Sequence, residues 1–350
     1  MVSAFTFAVP GDLATPTGGY FYDRRMIAEL ERLGWRVEIV DLGDGFPWPS
    51  TARRAAAQAR LAAVADGRIL VIDGLAFGVL PEAAARLSAR LRLVALVHHP
   101  LASESGLTPA QAGILRADER AALAAATRVI VTSPVTARQL AAEYGVPADR
   151  ITVARPGSDP VPAAKGGSDG VVRLISVGSV VPRKGFDVLI AALAGLGDLP
   201  WQLTIVGDDV RDTKTAAQLA ADIARHNLGG RVALLGAVPH ERLEELYIAA
   251  DLFVLASRYE GYGIAFAEAM AHGLPVIGTR AGAIPDTVPA GAGILVPPDD
   301  ADALAQALRR LIENKDERQR LGSAARMAAI QLPGWQDSAK IFSRTLEALA

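Results

Sequence analysis

Short apolar runs alternate with longer amphipathic stretches along the whole chain. In the first half the runs are AFTFAV (4–9), RVEIV (36–40), RILVI (68–72), LRLVALV (91–97), RVIVT (128–132) and ITVA (151–154). They are short, rich in branched side chains and bounded by turn formers, so they read as strands. Between them, segments 20–33, 51–65, 81–90, 109–126 and 134–144 repeat Ala, Leu and Arg at helical spacing. Thr108 and Pro109 mark one helix start, pairing a capping hydroxyl with a residue that needs no amide partner in the first turn. The pattern breaks over PGSDPVPAAKGGSDG (156–170), which reads as a linker. It resumes with VVRLISVG (171–178), QLTIVG (202–207), RVALLG (231–236), DLFVLA (251–256), LPVIG (274–278) and AGILV (292–296). Strand–helix alternation predicts an α/β fold with one parallel sheet per half, each covered on both faces. The expected domains are 1–160 and 170–334, followed by a C-terminal helix, 335–350, set off by Pro333 and Gly334. Two such sheets are expected to face each other across a cleft, with ligands at the carboxyl ends of the strands.

A length of 350 residues agrees with two cores rather than one. The net charge of −2 excludes a strongly basic nucleic-acid binder. An arginine patch at Arg24, Arg25, Arg53 and Arg54 allows at most peripheral membrane contact. The chain has no cysteine, so disulfides, thiolate metal sites and a cysteine nucleophile are excluded. Its first residues lack a basic region followed by a long apolar one, and no run approaches eighteen apolar residues. A cytoplasmic location is the expectation. No metal is expected, since there is no D-x-D in the first half and no histidine pair at ligand spacing.

The densest chemical signal is EGYGIAFAE (260–268), directly after the strand run DLFVLA. Two glutamates stand eight positions apart, with Gly261 and Gly263 after the first. Glycines let a backbone approach a ligand closely, and a helix starting near Gly263 would turn its amides and positive dipole end toward phosphate. Eight residues would span roughly 12 Å if helical throughout, about the reach from a hexose to a ribose across a diphosphate. An isolated pair of glutamates is more often a helix cap and a solvated side chain; the strand and glycines favour function here.

In its wider setting, SRYEGYGIAFAEAMAHGLPVIGTRAGAIPDTV resembles the donor-site signature of the retaining glycosyltransferases of family 4 (group 1). The resemblance extends through PTGGYFYDRRMIAELERLGWRVEIV, VHHPLASESG, VTSPVTARQLAAEYGV, VGSVVPRKGFDVLIAAL, IVGDD and GILVPPDDADALAQAL, nearly the whole chain. It implies the GT-B fold of two Rossmann-like domains, the C-terminal helix packing back toward the first. Glu268 is implied to hold the nucleotide ribose, and Glu260 to contact the donor sugar and balance charge in the transition state. Gly261, Tyr262, Gly263 and Ile264 would offer main-chain contacts to sugar and phosphates. Lys184 and Arg183 in VPRKGF would neutralise the departing diphosphate; the family usually carries Arg after the Gly178 position, where this chain has Ser179. Gly18 and Gly19 resemble the family's glycine loop over the diphosphate, although PTGGY is not a dinucleotide fingerprint and a glycine pair alone marks only a turn. His98 matches the active-site histidine near the reacting sugar carbon, while His99 and Glu104 are candidates to orient donor or acceptor hydroxyls. Gly207 and Val238 lie in loops that border the base in the family. In AGAIPD, Ala283 and Asp286 replace the usual Gly and Glu. Tyr20 is an acceptor-pocket candidate, with helix packing the stronger alternative.

Together these features lead to an expected retaining hexosyltransferase, without metal or cofactor, moving sugar from a nucleotide-diphospho-sugar to an acceptor hydroxyl by front-face attack. A sugar-nucleotide epimerase or hydrolase on the same fold, and an inactive nucleotide-sugar-binding subunit, are the alternatives.

Overall fold

A computed structural model describes residues 4–350. All twelve apolar runs are strands. The first sheet holds β1 (Ala4–Val9), β2 (Arg36–Asp41), β3 (Ile69–Asp73), β4 (Arg92–Val97), β5 (Arg128–Val131) and β6 (Ile151–Val153), in the order β2-β1-β3-β4-β5-β6. The second holds β7 (Val172–Val177), β8 (Trp201–Val206), β9 (Val232–Leu234), β10 (Leu252–Val254), β11 (Val276–Thr279) and β12 (Gly293–Val296), in the order β12-β11-β10-β7-β8-β9. Every neighbouring pair is parallel. β3 and β10 are buried along their whole length, as central strands between helical layers must be.

The chain divides into two compact units: residues 1–15, 19–157 and 333–350, and residues 16–18 with 158–332. The C-terminal helix Trp335–Glu347 therefore completes the first unit. Trp335 is buried there against Phe21 and Tyr22, with the Arg25 guanidinium 5.0 Å from its ring centre. The Trp35 indole donates to Ser343 Oγ at 2.8 Å, tying that helix to the core beside β1. The second unit has its own core, running from Leu174 and Ile175 through Phe253 and Phe266 to Leu308.

Local signals decide several details. Thr108 caps the helix Pro109–Ala124 in a reciprocal box with Gln111. The stretch expected as a linker lies down on the second unit: Ala164 N donates to His272 O at 2.7 Å, and Lys165 N to Ile248 O at 2.8 Å. Gly18 and Gly19, expected in a loop, form the first turn of the helix Gly18–Arg32, where a Cβ on Gly19 would press on the His98 ring at 3.3 Å. Among the described residues, no helix is long and apolar enough to cross a membrane.

Candidate active site

In the second unit the carboxyl ends of β7 and β10 bring the key side chains together. After β7, Gly178 and Ser179 lead into a tight turn, Pro182–Lys184, that aims two cations at the end of β10. Lys184 Nζ donates to Glu260 Oε1 at 2.7 Å, and Arg183 Nη1 reaches Oε2 at 3.3 Å while also donating to Tyr259 O. Ser257 Oγ adds a third hydrogen bond to Oε1, at 2.6 Å. Burial alone would push the Glu260 carboxyl up. Lys184 and then Arg183 outweigh it and hold the group at about 2, fully ionised near neutral pH. Two cations against one carboxylate leave the cluster net positive.

The backbone of Glu260 is braced from below. Ala283 N donates to Glu260 O at 2.8 Å, and a Cβ on Gly282 would lie 2.3 Å from that oxygen. Gly261, Tyr262 and Gly263 are buried, and Gly263 adopts φ 91°, a left-handed conformation that turns the chain into the helix Ile264–Ala271. No side chain caps that helix start. The helix begins only at Ile264, so the eight-residue spacing is not one straight helical rise. The stretch from Ile264 to Glu268 rises about 6 Å, and the rest is a turn that folds Glu260 inward. Glu268 is half-buried, and Tyr247 Oη donates to it at 3.2 Å. Burial lifts its carboxyl to about 7; the Tyr247 bond works against the rise and the charge of Asp159 adds to it.

Around these residues, Gly207 follows β8 and its amide donates to Gly236 O at 2.9 Å, while Val238 is half-buried in the loop after β9. In the acidic pairs Asp208–Asp209 and Asp299–Asp300, Asp208 accepts from the amides of Val210 and Arg211 in a turn, and Asp300 caps the helix that follows it.

In the first unit, His98 follows β4. Its Nε2 lies 3.2 Å from Asp23 Oδ1 and 3.5 Å from Asp73 Oδ2. Gly19 packs against the Cδ2–Nε2 side of the ring, Tyr22 meets it edge-on at 5.4 Å, and Thr132 Oγ1 donates to the His98 carbonyl. His99 Nε2 stands 3.5 Å from Glu104 Oε2. Tyr20, for which helix packing is the stronger expectation, is buried and donates its hydroxyl to Pro10 O. Asp23, Asp73, Ser257, Tyr247 and Gly282 escaped the sequence reading. Asp73 had one signal, an acid ending an otherwise apolar strand run, and Asp23 another, a charge on the helix face shared by Tyr22, Met26, Ile27 and Leu30. Among the described residues, the ring nitrogen and one oxygen from each aspartate form one group of three within 4.8 Å. That spacing suits a shared proton or a small cation.

Two family models divide the chain between them. Residues 22–161 match Glycosyltransferase Family 4, and residues 163–328 match Glycosyl transferases group 1. The chain belongs to the group 1 glycosyltransferases, family 4-like, with the GT-B fold. This glycosyltransferase is 29% identical to the MMP alpha-(1->4)-mannosyltransferase of Mycolicibacterium hassiacum, over 84% of its own length and 74% of that protein. It is 32% identical to the D-inositol 3-phosphate glycosyltransferase of Nocardia farcinica, over 59% of its own length. The match spans only 49% of that relative, as it does for a GDP-mannose-dependent mannosyltransferase of Corynebacterium glutamicum at 34% identity. Among solved structures, the sucrose-phosphate synthase of Thermosynechococcus elongatus aligns over 99% of both chains with a TM-score of 0.80 at 23% identity. HepE of Anabaena in complex with UDP-glucose covers 98% of this chain and 99% of its own, with a TM-score of 0.78 at 21% identity. The solved structures share the fold.

Proposed function

We propose that this glycosyltransferase is a retaining hexosyltransferase that uses a nucleotide-diphospho-sugar donor and needs no metal ion. The observation that carries the reading is the buried Glu260 between Lys184 and Arg183, next to a helix start that no side chain caps. A diphosphate leaving group gains negative charge as the sugar–oxygen bond breaks. Two fixed cations and a helix dipole stabilise that charge without the reorganisation that water would require. Because Glu260 cancels one of the two positive charges, the site keeps an excess suited to a diphosphate rather than one that traps the product.

Glu260 is also badly placed to be a nucleophile. Three donors occupy its oxygens, and its low basicity makes it a weak attacker. Retention is then best served by front-face attack. The acceptor oxygen bonds to the anomeric carbon on the face from which the phosphate oxygen departs, and that oxygen takes the acceptor proton. Glu268, at the second turn of the helix, would hold the ribose hydroxyls, and Gly261 to Ile264 would supply amides to sugar and phosphate. Gly178, Ser179, Gly207 and Val238 complete the proposed donor surface in the second unit. Gly18 and Gly19 are further proposed donor contacts, His98 a proposed catalytic residue, and His99, Glu104 and Tyr20 proposed contacts to donor or acceptor hydroxyls. The relatives' names include inositol 3-phosphate, a sugar phosphate and a phosphatidylinositol mannoside, which favours an acceptor hydroxyl on a polyol or a sugar.

The test is a thermal-shift screen with UDP, GDP, ADP and dTDP in the presence of chelator, followed by turnover of the matching sugar donors and NMR of the product anomer. One nucleotide diphosphate should raise Tm, and product should keep the donor's anomeric configuration. An inverted product, or a glycosylated Glu260 found by mass spectrometry, would refute the mechanism. Sugar release without any acceptor product would make the protein a hydrolase.

A further inference from the structure

Asp23 is a carboxylate in an unusual place. It sits on the helix Gly18–Arg32 at 0% exposure, and neither oxygen has a well-directed hydrogen-bond partner. A buried charge of this kind is costly unless an opposite charge meets it. The neighbours on the same helix face are apolar, and an apolar residue at this position would serve packing better. What the carboxylate does meet is His98 Nε2 at 3.2 Å. Asp73 arrives from the end of β3, and its Oδ1 is committed to the amide of Leu75 at 2.7 Å, which turns Oδ2 toward the same ring nitrogen.

We propose that Asp23, with Asp73, is a positioning residue that keeps a proton on His98 Nε2 and so fixes the ring as an imidazolium, able to donate from Nδ1–H but not to accept a proton. This deepens, and rests on, the proposed glycosyl transfer. Nε2 is buried between the carboxylates and Gly19, so the 19% exposure of the His98 side chain belongs to the rest of the ring. The groups facing the ring are Asp23 and Tyr22 from the helix, Asp73 from β3 and Thr132 on the backbone carbonyl; the two aspartates favour the charged ring, and Tyr22 and Thr132 are neutral. Burial pushes the imidazole down, but the charge and hydrogen bonding of Asp23, then of Asp73, pull harder and raise it to about 10. Burial likewise raises Asp23, to about 7, against the pull of His98. An imidazolium has no lone pair to offer. His98 is therefore a donor and not the base, which leaves the departing phosphate oxygen as the acceptor of the hydroxyl proton.

The experiment is an NMR pH titration of the ring protons in the full chain, His98 being assigned among the five histidines by its loss in His98→Asn. His98 should stay protonated past pH 8, well above the ~6.5 of a free imidazole. Asp23→Asn should lower its midpoint by at least tenfold in proton affinity, and Asp23→Glu should restore most of it. A wild-type midpoint near that of free imidazole overturns the proposal, as does an unchanged midpoint in Asp23→Asn. A wild-type titration altered by chelator overturns it too, because a cation would then be the shared charge. In turnover, Asp23→Asn should lose kcat above its new midpoint and recover it below; an equal loss at every pH would reduce Asp23 to a structural role. The titration needs no donor sugar, so its failure is distinguishable from failure of the transfer reaction.

Discussion

Lys184, Arg183 and Ser257 all lie within 3.3 Å of the Glu260 carboxylate, so its burial is compensated from three sides. Glu260→Gln keeps the shape and removes the charge. It should lower kcat by about 10²–10³, the scale on which fixed electrostatic partners act. Affinity for the nucleoside diphosphate, read by calorimetry, should not weaken, since the two cations are then left uncompensated. Glu268 works in the opposite sense. Its folded-state value near 7 exceeds the ordinary carboxylate value of 4.5, so the folded protein binds the proton more tightly. Stability from this group is therefore present below the unfolded value and is lost as pH rises through about 7. Glu268→Gln should raise the Tm of the unliganded protein at pH 8 and do little at pH 4. The same change should weaken nucleotide binding about tenfold, and wild-type affinity should fall as pH drops below 7. Equal Tm values at pH 8, measured by calorimetry, would contradict the burial argument. Lys184, Arg183, Glu260 and Glu268 were readable from their motifs, but Ser257 and the partnerships were not. Lys184 and Glu260 are 76 positions apart in sequence, and only the adjacency of β7 and β10 makes them a pair.

The central strands were legible because strands buried on both faces must be short, continuous apolar runs, and the more exposed edge strands β2, β6, β9 and β12 by branched residues between turn formers. Turns and loops were less so, because their geometry depends on what they pack against. The stretch 281–286 shows this. In sequence it was a departure from the family pattern; in the fold it is the floor beneath Glu260. Gly282 has φ 53°, and a Cβ there would also lie 2.8 Å from Glu260 N. Gly282→Ala should therefore shift the Glu260 backbone, lowering kcat more than tenfold with a smaller effect on Tm. If thermal stability collapses while activity of the residual folded protein is normal, the loop is a structural element only. The linker teaches the same lesson. Its Pro, Gly and Ser content announced irregular backbone, yet hydrogen bonds from Ala164 and Lys165 fasten it to the second unit, which composition does not reveal.

The first unit is not continuous in sequence. Its last helix comes from residues after the second unit, and its Trp335 fills a space lined by Phe21, Tyr22 and Arg25. Gly157 lies against that tryptophan so closely that a Cβ would fall 2.2 Å from its amide nitrogen. Trp335→Ala should cost about 3–5 kcal/mol, as removal of large buried aromatics does. In urea, the loss should show in the transition that reports the first unit, followed through near-ultraviolet signals of Trp35; an unchanged midpoint would mean that the helix merely decorates the surface. The break at Pro333 and Gly334 was visible in the sequence, but the helix's own pattern names no partner, and its destination came only from family resemblance.

That final helix also sets a timetable. Residues 19–157 are made before the second unit, but the piece that closes their core is translated only after that unit's roughly 175 residues. At ~5–20 residues per second this is a wait of roughly 10–35 s. During it, the helix carrying Asp23 lacks the cover that Trp335 gives to Tyr22 and to part of Phe21. The nascent chain therefore passes through an interval in which that flank lacks its cover, and the interval ends only once residues 333–350 are made.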